Sequence, residues 1–214
     1  MSRFDTVAVV DWSGGNDRGP RPRADAIWIG IRGPEGRAET HYARNRQVAE
    51  ARLRDLVAEE RAAGRRLLIG FDFPFGYPAG FAAALTGAQD PLALIDWIAA
   101  RIEDGPRANN RFDLAGRINR RLGAGRGPFW ANALRRDIAG LPRTRAEYAN
   151  PFAERRACEA RAKGSFTCWQ LAGAGSVGSQ ALMGLPLIAR LRRDLGARVW
   201  PFEPLDGDLA LIEV

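Results

Sequence analysis

A chain of 214 residues is long enough for one domain with a sizeable core, and 46% hydrophobic with 27% charged residues is a globular balance that excludes a disordered chain. No apolar run reaches the length of a membrane span, and the N-terminus lacks a basic region followed by a hydrophobic one, so the expectation is a soluble, cytoplasmic protein. A formal net charge of +7 raises the odds of a nucleic-acid or nucleotide partner only modestly, because the charge is scattered arginine with Lys163 as the single lysine.

Thr6–Asp11 is a nearly continuous apolar run, which predicts a strand buried on both faces. It ends in "AVVDWSGG" (8–15), where an acid, a serine and glycines form the kind of strand tip that presents an oxygen ligand or holds a phosphate. The same residues also serve ordinary turns. After a polar loop over Gly14–Arg23, "AIWIGI" (26–31) predicts a second strand, and the alternation through Ala38–Ala43 a third. Short links between the three suit an antiparallel meander. The spacing of Ala49, Leu53, Leu56 and Val57 predicts an amphipathic helix over 47–63, closed by Gly64. Leu67–Phe71 then predicts a fourth strand that ends on Asp72 and stops at Pro74. A helix between strands makes this a crossover, so the fourth strand should run parallel to another.

From Phe73 to Gly196 the pattern is helical and irregular. Asp90-Pro91 starts one helix with its cap in place, Arg111–Leu122 predicts a second, Ala153–Ala162 a third, and Gly178–Leu195 a fourth, kinked or restarted at Pro186. Strand character returns in "ARVWPFE" (197–203) and in "LALIEV" (209–214).

Cys158 and Cys168 cannot form a disulfide framework and lack zinc-site spacing; they read as two plain thiols. His41, the only histidine, falls on a half-exposed strand, which argues against Ser–His or Cys–His catalysis. "GAGSVG" (173–178) matches a dinucleotide fingerprint in form, but no clear strand precedes it, so its glycines read as a tight turn into a helix. Asp206 and Asp208 read as turn residues. Arg155, Arg156 and Lys163 could clamp a phosphate or merely face solvent, and Trp12 and Trp130 could stack on a base or belong to the core.

The order strand–strand–strand–helix–strand, then helices, then strand, resembles the ribonuclease H-like fold, with "AVVDWS" and "LIGFDFP" at that fold's first two acid positions. More closely, "VVDWSGG", "GFDFPFGYP", "GAGSVGSQALMGLPLIARLR" (173–192), "VWPFE" and "LIEV" resemble a family of predicted ribonuclease H-like nucleases, one of the domains of unknown function. Relatives usually continue past the final Glu-Val with an aromatic residue and a proline, whereas Val214 is last here. Some similar sequences carry a molybdopterin guanine dinucleotide biosynthesis label, but no residue here points to that chemistry.

The resemblance implies an α/β fold: a mixed sheet in strand order 3-2-1-4-5, flanked by helices, with a helical insertion over 73–196 inside a single domain spanning 1–214. In that topology the first and fourth strands lie side by side, about 4.8 Å apart, so their tip carboxylates can share one divalent ion. The expected ligands of Mg²⁺ or Mn²⁺ are Asp11, Asp72, Glu203 and Glu213, with Asp11, Asp72 and Glu203 catalytic. Ser13 and Gly14 are the candidates for contact with a nucleotide. The implied activity is metal-dependent cleavage of a nucleic acid. A small nucleotide-binding protein of the actin-like superfamily, or a non-catalytic scaffold, are the alternatives.

Overall fold

The computed structural model describes residues 4–15, 19, 21–122, 125–162 and 164–214. Parts of the loop expected over 14–23 and of the glycine-rich stretch 123–132 lie outside the described residues, as does Lys163. The elements in chain order are β1 (Thr6–Asp11), β2 (Ile27–Arg32), β3 (Ala38–Ala43), α1 (Arg46–Ala62), β4 (Leu67–Phe71), α2 (Phe81–Thr86), α3 (Pro91–Ala99), α4 (Arg111–Arg121), α5 (Ala157–Arg161), α6 (Val177–Leu195), β5 (Arg198–Val199) and β6 (Leu209–Glu213). They fall into two compact units, one formed by 1–73, 105–107 and 187–214, the other by 74–104 and 108–186.

The first unit is built on a six-stranded sheet in the order β3-β2-β1-β4-β6-β5. Antiparallel pairing joins β1 to β2 and β2 to β3, as the short connections predict. β4 lies beside β1 and parallel to it, with Val10 opposite Phe71. The position next to β4 is not taken by the strand expected around 197–203. It is taken by β6, with Phe71 opposite Glu213, while β5 is a two-residue edge strand outside it. Pro201 has no N–H for a ladder, and Phe202 and Glu203 both donate their amides to Val199 O, so the chain turns at once.

Alternation divides the sheet into two unlike faces. Ala8, Val10, Ile27, Ile29, Leu67, Ile69, Phe71, Leu209 and Leu211 are buried. Against that side pack the apolar residues of α1, Ala49, Leu53, Leu56 and Val57, at the spacing that predicts the helix. Asn45 caps α1 by accepting from the Val48 amide at 2.9 Å. Glu50 of α1 accepts from Arg54 of its own helix and from Arg190 of α6, which ties the two helices together. On the other side Val7 is 36% exposed and Val9 48%. β1 is therefore not buried on both faces; its apolar run reaches solvent at every second residue.

The second unit is helical and irregular, with the isolated bridges Asp104↔Asn109 and Trp130↔Gln170 outside its helices. Its core is aromatic: Phe81, Phe129 and Trp169 pack edge to face, with Tyr77 and Phe152 against them. Buried Asn119 of α4 holds the irregular stretch in place. Its amide donates to the Phe129 and Gly140 carbonyls, and its carbonyl accepts from the Phe129 amide. α5 is shorter than the helix expected over 153–162, and α6 runs through Pro186 without a restart.

Ile69 is fully buried at the centre of the sheet, between Ala8 and Leu211. Truncation to alanine leaves a cavity that backbone pairing on both sides keeps from collapsing. Ile69→Ala is expected to cost about 2–5 kcal/mol, read as a fall in the denaturant midpoint with an unchanged slope.

Candidate functional site

The parallel register of β1 and β4 brings Asp11 and Asp72 together. Val10 faces Phe71, so the next residue of each strand leaves the sheet at the same level. The Asp72 amide donates to Val10 O at 3.3 Å, and the Trp12 amide donates to Asp72 Oδ1 at 2.8 Å. The two carboxyl groups are close enough to share a proton when one of them is protonated.

Electrostatics agree with the geometry. Asp72 is pushed up to about 6 from 3.8, first by loss of hydration around its carboxyl and then, against the opposing Trp12 N–H, by the negative charge of Asp11. Asp11 is also raised, by desolvation and by the charge of Asp25, while its hydrogen bond to Asp72 pulls the other way. The pair takes up its two negative charges in separate steps. Two hard oxygen donors with a proton between them form a site that a divalent cation can enter by displacing that proton.

The other expected ligands are elsewhere. Glu203 closes the turn after β5: one carboxylate oxygen accepts from Arg192 at 3.0 Å and the other from the Val199 amide at 3.0 Å. Burial raises it, but Arg192 and that amide outweigh this, and it is held below the ordinary glutamate range. Glu213 sits opposite Phe71 in the ladder, on the helix-covered face, while Asp11 points to the open one. Among the described residues no group of three acidic, histidine or cysteine side chains is placed to hold a metal ion.

Ser13 and Gly14 follow β1 as expected, but their turn faces inward. Ser13 Oγ accepts from the Gly15 amide at 3.1 Å, and the carbonyls of Ser13 and Gly15 accept from Arg46 at 3.2 and 2.8 Å. Trp12 is a core residue, 1% exposed and packed on Phe71 and Phe73. Arg156 is bound to buried Glu159. Asp208 pairs with Arg61 and Asp206 with Arg198. The "GAGSVG" glycines shape a turn. Gly173 and Gly175 have positive φ, and a Cβ at Gly178 would come within 2.6 Å of the Cys168 and Gln170 carbonyls.

No protein-family model, curated protein or solved structure matches the chain.

Sequence reading misses several residues around the pair. Arg46, 2% exposed, pins the turn after β1 from the first residue of α1. No local pattern reports a contact across more than 30 positions. Asp25 adds charge near Asp11 from the loop before β2, and Trp28 stands directly opposite Asp11 in the antiparallel ladder. The pairing of "AIWIGI" with the first strand carries that last signal.

The raised Asp72 sets a pH dependence. Its folded pKa of about 6 exceeds 3.8, so the stability it contributes is complete below about pH 4 and is lost as pH rises through 6. Asp72→Asn keeps the acceptor for the Trp12 amide and removes the charge. The variant is expected to melt above wild type at pH 7–8, with the difference closing below about pH 4, as followed by thermal unfolding across that range.

Proposed function

We propose that the protein is a divalent-metal-dependent phosphodiesterase acting on nucleic acid, a ribonuclease H-like nuclease. The observation that carries this reading is the Asp11–Asp72 pair at the tips of adjacent parallel strands. The set fits one Mg²⁺ or Mn²⁺ that keeps other coordination positions for water and phosphate, since such ions are commonly held by one or two carboxylates plus substrate oxygens. When bound, the ion supplies Lewis-acid polarisation of the phosphodiester and a more acidic water. Asp11 and Asp72 hold it and offset its charge. The Trp12 amide fixes the orientation of Asp72. Below about pH 6 the cation-free pair holds a proton that cation binding would release.

Glu203 and Glu213 have no part in this reading, and the engaged Gly15 amide leaves the nucleotide-phosphate turn of the actin-like alternative without support. A non-catalytic scaffold draws on the lack of a third acid beside the pair among the described residues.

Calorimetric titration of Mn²⁺ separates these. Binding is expected to release about one proton at pH 5, with affinity rising about tenfold per pH unit up to about 6 and flattening above. Asp11→Asn and Asp72→Asn should each lower affinity by about tenfold or more, together with hydrolysis of oligonucleotides in Mg²⁺ or Mn²⁺. A pH-independent affinity, or equal binding by the Asp11→Asn variant, would leave the scaffold reading ahead.

A further inference from the structure

Among the described residues, the sheet face away from α1 is exposed along β1 to β3, while Gly70 and Ala210 on the same face of β4 and β6 are buried, and the pairing register fixes what the exposed part carries. Its outermost row is Asp11, Trp28 and Tyr42, directly opposite one another on β1, β2 and β3. The next is Val9, Gly30 and Thr40, and the third Val7, Arg32 and Ala38. Trp28 and Tyr42 form a tilted pair with ring centroids 5.4 Å apart. The indole is held by donation from Nε1 to Arg23 O at 3.1 Å. Arg32, about 13 Å along β2 from Trp28, is exposed and has no ion pair among the described residues.

Exposed valines beside an aromatic pair are a costly surface for water to cover. Three features narrow the occupant. Tryptophan and tyrosine faces stack on bases of any sequence, and sheet-borne aromatics bind single strands in this way. The chain carries 32 basic against 25 acidic residues, and on β1 to β3 the charged residue of this face away from the acid pair is Arg32, while Arg198 of β5 is paired with Asp206. The aromatic row ends on Asp11, so the platform is continuous with the acid pair. A duplex would hide its bases from Trp28 and Tyr42.

We propose that this face is a platform for single-stranded nucleic acid, with bases stacked on Trp28 and Tyr42 and the strand led toward Asp11 and Asp72. The inference rests on the phosphodiesterase reading for the use of the platform, but not for the binding itself. It names the substrate class as single-stranded. Gly30 keeps the centre of the face flat: its backbone is not in the left-handed region, and a Cβ there would meet nothing closer than Val9 O at 3.9 Å. A threonine at that position suits a strand and stands up into the platform.

The test uses the full chain carrying Asp11→Asn and Asp72→Asn, in EDTA at low salt, so that neither cation binding nor cleavage enters. Fluorescein-labelled oligothymidylate and oligoadenylate are the probes, with a duplex and inorganic polyphosphate as competitors. Trp28→Ala is expected to weaken binding by about 5- to 100-fold and Trp28→Phe to restore most of it. Gly30→Thr should weaken binding comparably while melting no lower than its parent, which guards against misfolding of the alanine variant. Arg32→Gln should reduce the slope of log affinity on log salt by about 1. Unchanged affinity in a folded Gly30→Thr variant, equal competition by the duplex, or complete displacement by polyphosphate at matched charge would each overturn the proposal. So would sedimentation of the chain as a dimer that Gly30→Thr dissociates, since the face would then join two copies. Loss of Mn²⁺ binding in the wild type bears only on the phosphodiesterase reading, so the two failures are told apart.

Discussion

Two carboxyl groups held side by side resist carrying two negative charges at once, so Asp72 ionises only near pH 6, and the rest of the first unit can be understood from that constraint. The contact is a consequence of register. Once Val10 is opposite Phe71, strand geometry puts Asp11 and Asp72 side by side. Little freedom remains to separate them, because the Trp12 amide grips one carboxyl and the Asp72 amide returns to Val10 O. The pair is paid for by apolar burial behind it, where Trp12, Phe71 and Phe73 pack ring against ring. A rigid aromatic base is what keeps two like-charged groups from simply moving apart. It also explains why desolvation leads the causes of the raised Asp72, ahead of the charge of Asp11.

The turn after β1 serves the same end from the other side. Its carbonyls point at Arg46, a buried cation anchored at the first residue of α1. A guanidinium with two carbonyl acceptors fixes where the chain goes after Trp12. The serine and glycines of "AVVDWSGG" therefore form the turn itself, and the acid before them faces Asp72.

Much of this was legible in the sequence, for identifiable reasons. β1 and β4 are clear apolar runs and α1 has a clear helical period, and the acids that end both strands are visible without any tertiary knowledge. The helix before β4 implies that β4 runs parallel to another strand, and the resemblance to the ribonuclease H-like fold makes that strand β1, so that the tips meet. What was not legible depends on contacts distant in sequence. "VWPFE" reads as a strand ending in an acid, yet Pro201 stops the ladder after two residues and Glu203 folds back onto the Val199 amide and Arg192. The place beside β4 goes to β6, which has five residues to pair. β1 reads as doubly buried because an apolar residue at every position from Val7 to Val10 hides the alternation; only the count of helices available to cover the sheet corrects this. Arg46 and Asp25 reach the site across intervals that carry no spacing signal.

The two faces of the sheet also explain the position of the acids. On the covered face, a buried acid is absorbed by neighbours: Glu60 of α1 accepts from Thr6 Oγ1 at 2.6 Å and from Arg65 at 2.7 Å, and is held below the ordinary glutamate range by Arg65 in spite of burial. On the open face Asp11 has no arginine as a hydrogen-bond partner in its shift; its influences are burial, Asp72 and Asp25, two of them carboxylates. A chain with 31 arginines beside its single lysine does not lack cations for that purpose. An arginine at this tip would lower both acids and fill the site, as Arg192 does for Glu203. Among the described residues, no arginine is paired with Asp11 or Asp72 in the way that Arg192 is with Glu203, so the burial and mutual charge of the two acids are left to raise them.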